Sequence, residues 1–101
     1  MTIPNDYIEN DVMAALCNHE LKIDQEQFAA VISGNKCHEV RVFDRNFSTG
    51  DLLFLRCFDR TKKTYNGDAV VVRVTNITRP ETYGLPANIG VMTIHLVEEL
   101  L

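Results

Sequence analysis

The residues best suited to chemistry follow a glycine near the end of the first third of the chain. Gly34, Lys36, Glu39 and Arg41 form the pattern Gly-x-Lys-x-x-Glu-x-Arg. A glycine can end a helix and let the chain turn at once into a strand. Glu39 and Arg41 then lie two residues apart on one face of that strand and can pair. Lys36 would remain the free cation at the strand entrance, able to meet an anion or a carbonyl. The alternative is a surface ion pair of little energetic consequence.

Cysteine and histidine side chains offer a second kind of chemistry, which the spacing disfavours. The potential zinc ligands are Cys17, His19, Cys37 and His38. Adjacent residues on a strand point to opposite faces, so Cys37 and His38 could not easily share an ion or act as a nucleophile and base. The three cysteines are widely spaced and include no Cys-x-x-Cys pair, which argues against a disulfide framework. We predict no metal site and no cofactor.

Charge is distributed unevenly along a chain whose net charge is −4. Residues 1–35 hold one basic and six acidic residues, whereas residues 36–79 hold nine basic and five acidic ones. The middle of the chain can therefore present a positive surface to an anionic partner such as nucleic acid. We expect Arg41, Lys62 and Lys63 to contribute to it, although the two lysines could equally serve to solubilise a loop. Binding of another protein through the acidic N-terminal arm stays open.

Length and composition are those of one small globular domain. The chain has 101 residues, of which 46% are hydrophobic and 24% charged. It has no apolar run of the roughly 20 residues that a membrane span needs. Its first residues lack the basic and apolar segments of a secretory signal. We therefore expect a cytoplasmic protein that has no membrane partner.

Periodicity divides the chain into two helical segments and several strands. Residues 7–16 have helical spacing and are predicted to form an N-terminal arm or short helix within residues 1–17, before a domain at 18–101. A strand at 19–23 leads to a helix at 24–33, with Asp24 and Gln27 forming a capping box.

Strands are predicted at four further places. One covers 37–43, with Val40 and Val42 on one face and Glu39, Arg41 and Phe43 on the other. The others cover 52–58, 69–77 and 91–97, with Asn66-Gly67 as a hairpin turn and 79–90 as a long connection. This order predicts an α+β fold, namely a small β-barrel of about five or six strands with one or two helices packed at its side.

The signature Gly34-x-Lys36-x-x-Glu39-x-Arg41, placed directly after a short helix, resembles that of the ASCH domains of the PUA-like superfamily. The preceding strand, and Asp44-Arg45-Asn46-Phe47 followed by Gly50-Asp51, are similar to a compact, uncharacterised phage and bacterial branch of that group. The resemblance covers residues 18–97. It implies a PUA-like barrel that binds RNA or a modified nucleoside in a cleft between helix and barrel.

The resemblance also implies which residues meet the ligand. Lys36, Glu39 and Arg41 match the family motif position by position. We expect the ligand-binding set to comprise Lys36, Glu39, Arg41, Arg45, His19 and Tyr83. Tyr83 and Phe43 are candidates for stacking on an unpaired base, although such aromatics are more often part of a core.

An enzymatic alternative comes from small ASCH amidohydrolases that deacetylate N4-acetylcytidine. These resemble the chain in length and in the glycine–lysine turn, and they use a lysine, a threonine three residues later and a distant glutamate. Here Lys36 matches the lysine, whereas Glu39 stands at the threonine position. A carboxylate cannot simply replace a hydroxyl nucleophile. Binding is therefore favoured over catalysis; if the chain is an enzyme, Lys36 and Glu39 would be its catalytic residues.

Overall fold

The computed structural model describes the backbone of residues 2–3 and 7–97, and side chains from residue 11 to residue 97. Residues 1 and 4–6 of the predicted N-terminal arm, and residues 98–101 of the predicted domain, lie outside the described part. The elements are β1 (Thr2–Ile3), α1 (Tyr7–Leu16), β2 (His19–Asp24), α2 (Gln25–Ile32), β3 (His38–Val42), β4 (Leu52–Asp59), β5 (Thr64–Thr78) and β6 (Ile89–Leu96).

One curled sheet contains all six described strands. Their order is β2-β4-β5-β6-β3, and β1 pairs with β5. All pairs are antiparallel except β2 with β4, which run parallel. The sheet forms a half-barrel with two short helices, which agrees with the predicted α+β class. Because β2 and β3 are the two ends of the order, their outer edges have no neighbouring strand in the ladder.

The main core lies on the inner side of the curl and explains the apolar alternation of the strands. Phe28 and Val31 of α2 pack against it, with exposed fractions of 9% and 2%. Each such buried side chain contributes on the order of 1.5–3 kcal/mol. The inward strand residues are Leu21, Ile23, Leu53, Leu55, Cys57, Val70, Val72, Val74, Met92 and Ile94.

A second, smaller core lies on the other face of β4 and β5. There Met13 of α1 packs with Phe54, Ala69 and Val71. Since α1 covers one face and the main core the other, the middle of β5 is buried on both sides. This explains the continuous apolar run from residue 69 to residue 72, where a half-exposed strand would alternate between apolar and polar residues.

The helix predicted at residues 7–16 is confirmed as α1.

The predicted capping box at the start of α2 is wrong. Asp24 occupies the N-cap position with extended backbone angles, yet its side chain makes no capping hydrogen bond. Its carboxylate instead pairs with Arg60, and Gln27 faces a different partner, described below. The helix end agrees with the prediction, since Gly34 has a φ of 82°, a backbone conformation that suits glycine.

The predicted hairpin turn at Asn66-Gly67 is also wrong. The chain turns earlier, over residues 60–63, and Asn66-Gly67 lies inside β5. Arg56 pairs with Ala69 but Phe58 pairs with Tyr65, so two steps along β4 match four along β5. The positive φ of Gly67, 94°, therefore serves a β-bulge. Sequence could not separate the two uses, because both require a residue that tolerates positive φ.

No helix within the described residues is long and apolar enough to cross a lipid bilayer.

Candidate functional site

Strand β3 turns its charged face inward and its apolar face outward. Glu39 is only 3% exposed, whereas Val40 and Val42 are 52% and 49% exposed. The alternation predicted for this strand is confirmed, but its orientation is the reverse of what burial of apolar surface would favour. A buried carboxylate is costly unless it is paired and hydrogen-bonded.

The partners of Glu39 are two cations. Arg41 Nε donates to Glu39 Oε2 at 2.6 Å, which confirms the predicted pair. On the other side, Lys36 Nζ lies 3.7 Å from Glu39 Oε1. Both carboxylate oxygens therefore face positive charge, which offsets much of the cost of removing Glu39 from water.

Arg41 also connects the two edges of the sheet. Its Nη2 donates to the backbone carbonyl of Lys22 in β2 at 2.6 Å. Farther along, Arg45 Nη1 donates to the carbonyl of Glu20 at 3.3 Å. We call the strip where residues 39–45 run beside β2 the seam. Here guanidinium groups satisfy carbonyls on an edge that no strand covers.

His19 lies at the far end of the seam. Its Nε2 is 2.9 Å from Asp51 Oδ2, and its ring meets that of Phe47 edge-on with ring centres 4.7 Å apart. The same Asp51 oxygen accepts the backbone N–H of Ser48 at 2.9 Å. His19 and Asp51 thus fix the turn before β4 to the start of β2.

Lys36 is not the free cation that the sequence predicted. Its Nζ donates to Gln27 Oε1 of α2 at 2.5 Å, and its side chain is 17% exposed. The lysine therefore links α2 to the entrance of β3 while it also faces Glu39. Sequence reasoning missed Gln27 because its spacing from Asp24 suggested a capping box.

Lys36 borders a pocket between the end of α2 and the inner side of the sheet. The pocket has a volume of about 120 Å³. Its wall residues are Val31, Gly34, Lys36, Cys37, Val72, Ile94, His95 and Leu96. Cys37 is exposed. The sequence analysis did not identify His95 as a site residue, because it stands among apolar residues of the last strand.

The two aromatic residues predicted to stack on a base have different surroundings. Phe43 packs against Phe47, with ring centres 5.1 Å apart, and lies over Gly90. A Cβ on Gly90 would be 2.5 Å from the Phe43 ring, so any side chain at position 90 would require that ring to move. Phe43 is thus a packing residue. Tyr83, by contrast, is 96% exposed in the connection between β5 and β6, with a positive φ of 50°.

The remaining cysteines are set apart from the pocket. Burial raises the pKa of the Cys57 thiol, which accepts a hydrogen bond from Asn66 Nδ2 at 3.3 Å. Burial also raises the pKa of the Cys17 thiol. Within the described residues, no three histidine, cysteine, aspartate or glutamate side chains converge as metal ligands.

Known proteins similar to the chain give a family but no activity. A protein of Escherichia phage P2, described as "Uncharacterized 12.9 kDa protein in GpA 3'region", is 35% identical over 60 residues. The aligned part is 59% of this chain and 53% of the phage protein, so the chain spans about half the length of that curated relative. Residues 18–94, which include the seam and nearly all of the pocket wall, match the family described as "Domain of unknown function (DUF3850)". The chain therefore belongs to the DUF3850 family.

Proposed function

We propose that this domain is of the ASCH, PUA-like type and binds a base of RNA or a modified nucleoside in the pocket between α2 and the sheet. The observation that carries the proposal is the position of Lys36 on the wall of that pocket. The resemblance in the signature implies a cleft between helix and barrel, and the presence of a pocket between α2 and the sheet supports the proposal.

The wall chemistry suits a flat heterocycle with polar edges. Val31, Val72, Ile94 and Leu96 offer apolar surface to the faces of a ring. The lysine can donate a hydrogen bond to a ring carbonyl or nitrogen acceptor. Ligand sites commonly combine apolar walls with a few such oriented polar groups.

Pocket size limits what can enter. A volume of about 120 Å³ is below the ~300 Å³ of typical small-molecule sites. It accommodates one base-sized group, so the sugar and any phosphate would stay outside. A base that reaches such a pocket must be unpaired, which favours a free nucleoside or single-stranded RNA.

The seam has a supporting role in this proposal. Glu39 faces Lys36 at 3.7 Å and is itself held by Arg41. The pair therefore positions the lysine on the pocket wall. Arg45 and His19 lie farther along the seam, where they bind Glu20 and Asp51. Direct ligand contacts by Arg45, His19 and Tyr83 stay predictions.

Alkylation of Cys37 tests occupancy of the pocket. Cys37 is exposed and lines the pocket, while buried Cys57 serves as an internal control. We expect cytidine, uridine or N4-acetylcytidine to slow iodoacetamide modification of Cys37, measured by peptide mass spectrometry. Lys36→Met keeps the aliphatic stem but removes the donor, and it should abolish the protection. Absence of protection by every nucleoside, or equal protection in Lys36→Met, would contradict the proposal.

A hydrolase is the second candidate, favoured by the proximity of Lys36 and Glu39 beside the pocket. In that reaction water would add to the acetyl carbonyl of N4-acetylcytidine, and cleavage of the C–N bond would give cytidine and acetate. Glu39 is 3% exposed and both its oxygens face cations. Substrate would have to displace Lys36 to reach it, so binding is the better-supported function. Chromatographic detection of cytidine that disappears in Glu39→Gln would reverse this preference.

A further inference from the structure

The sheet carries a second surface with the chemistry of a binding site, and none of its residues lines the pocket. It lies on the side opposite the main core, beyond the part of β4 and β5 that α1 covers. Lys22 Nζ is 4.1 Å from the ring centre of Phe58, and the Arg56 guanidinium carbon is 3.9 Å from that of Tyr65. The two rings meet edge-on at 5.3 Å. We call these four residues, together with Lys62 and Lys63 in the β4–β5 turn, the hairpin face.

Three cations of the hairpin face form no ion pair with a described residue, although Asp59 and Asp68 also bring negative charge to this hairpin. Glu20 pairs with Arg56 at 3.4 Å, and Asp24 pairs with Arg60. Asp59 Oδ1 accepts two backbone N–H groups of the turn, from residues 61 and 62. Among residues 11–97 no ion pair involves Lys22, Lys62 or Lys63.

Aromatic rings decide which anion fits this surface. Phosphates alone need only cations, and an acidic peptide would have no use for the rings. A single-stranded nucleic acid uses both, because its bases stack on aromatic rings or on arginine planes while lysines neutralise its phosphates. Arg56 already lies over Tyr65, so a base could stack on the guanidinium or on exposed ring surface. A duplex keeps its bases stacked inside and could not use this arrangement.

We propose that the hairpin face binds single-stranded nucleic acid, with bases on the Tyr65–Arg56 and Phe58–Lys22 pairs and phosphates at Lys62 and Lys63. Its residues do not line the pocket, so this surface can operate whether or not the pocket binds a nucleoside. Arg41, expected from sequence to share a positive surface with these lysines, is excluded because its guanidinium is held in the seam.

Fluorescence anisotropy with labelled twelve-nucleotide oligouridine and oligodeoxythymidine tests the proposal over a range of salt concentrations. The Lys62→Gln/Lys63→Gln variant should bind more weakly at low salt. The slope of log K against log salt should decrease by about 1.4, since two phosphate contacts on a single strand are lost. Tyr65→Leu keeps an apolar side chain but removes the ring, and affinity should fall about 5- to 150-fold.

A matched control removes the same charge elsewhere. Arg73→Gln/Arg79→Gln also loses two positive charges, from exposed positions in the second half of β5 and just after the strand. Its affinity and salt slope should stay close to those of the parent. Binding of RNA alone or of both oligonucleotides supports the proposal, and the difference shows whether the 2′-hydroxyl is read.

Four results would overturn it. They are no binding of either oligonucleotide at low salt, equal weakening in the lysine variant and its control, unchanged affinity in Tyr65→Leu, or equally tight binding of a duplex. Circular dichroism of each variant shows whether the fold is kept. If Tyr65→Leu does not fold, the lysine variant and its salt slope decide the question, because exposed turn lysines contribute little to stability.

Discussion

The seam and the hairpin face draw all of their cations except Lys22 from the same basic part of the chain but use them differently. In the seam, Arg41 binds a buried carboxylate and a backbone carbonyl. On the hairpin face, Lys22 lies over an aromatic ring, and Lys62 and Lys63 are exposed in a turn. Arg41 and Arg45 of the first region bind groups of the protein itself, whereas Lys22, Lys62 and Lys63 of the second form no ion pair with a described residue.

The difference follows from what the backbone needs in each place. Strand β2 is an edge, and its outward carbonyls lack a neighbouring strand, so arginine side chains supply the donors. Strands β4 and β5 pair with each other along most of the hairpin. Their backbone groups are largely satisfied, and nearby lysines are not recruited. The number of lysine and arginine residues in a segment of the sequence is therefore a poor guide to whether that segment forms an exposed positive surface.

Glu39→Gln should give the largest effect on stability. Loss of the charge leaves Lys36 and Arg41 without their common partner at a nearly buried site. We expect the free energy of unfolding to fall by about 2–3 kcal/mol. Urea denaturation monitored by circular dichroism measures this change.

The matched control for that variant is Glu26→Gln. Glu26 is an exposed residue in the first turn of α2, and its substitution should change stability by less than about 0.5–1 kcal/mol. Equal effects of the two substitutions would mean that the seam is an ordinary surface ion pair.

Arg41→Lys should have an intermediate effect. Lysine keeps the charge, but its single ammonium group cannot reproduce the planar fork that reaches both Glu39 and the Lys22 carbonyl. A loss of about 1–2 kcal/mol is expected from urea denaturation. Arg79→Lys, at an exposed position after β5, should be nearly neutral. A neutral Arg41→Lys would indicate that the bond between the sheet edges is dispensable.

Lys62→Gln/Lys63→Gln should have the smallest effect on stability. Both side chains are exposed and form no ion pair with a described residue. The free energy of unfolding, measured by urea denaturation, should therefore change by no more than about 0.5 kcal/mol. The comparison of the two regions is sharpest if this variant is stable yet weak in oligonucleotide binding. A large loss of stability would place these lysines with the seam, as structural cations.

Several features were readable from sequence because they depend on near neighbours. Apolar periodicity predicted both helices and five of the six described strands, but not the two-residue β1, and the glycine at position 34 marked the end of α2. The pair between Glu39 and Arg41 was predictable because two residues on one strand share a face. Asn66-Gly67 shows the limit of such reasoning, since positive φ serves a turn and a bulge equally well.

Partners distant in the chain decided the rest. Lys36 binds Gln27, nine residues earlier, and Arg41 reaches Lys22, 19 residues earlier. Neither contact leaves a periodic trace in the sequence, because each depends on how the sheet curls and where α2 docks. The amino-acid sequence thus determined the local elements and the Glu39–Arg41 pair, through backbone geometry alone. The tertiary structure decided which cations are engaged and which are exposed, because that depends on the distance to acceptors that only folding brings close.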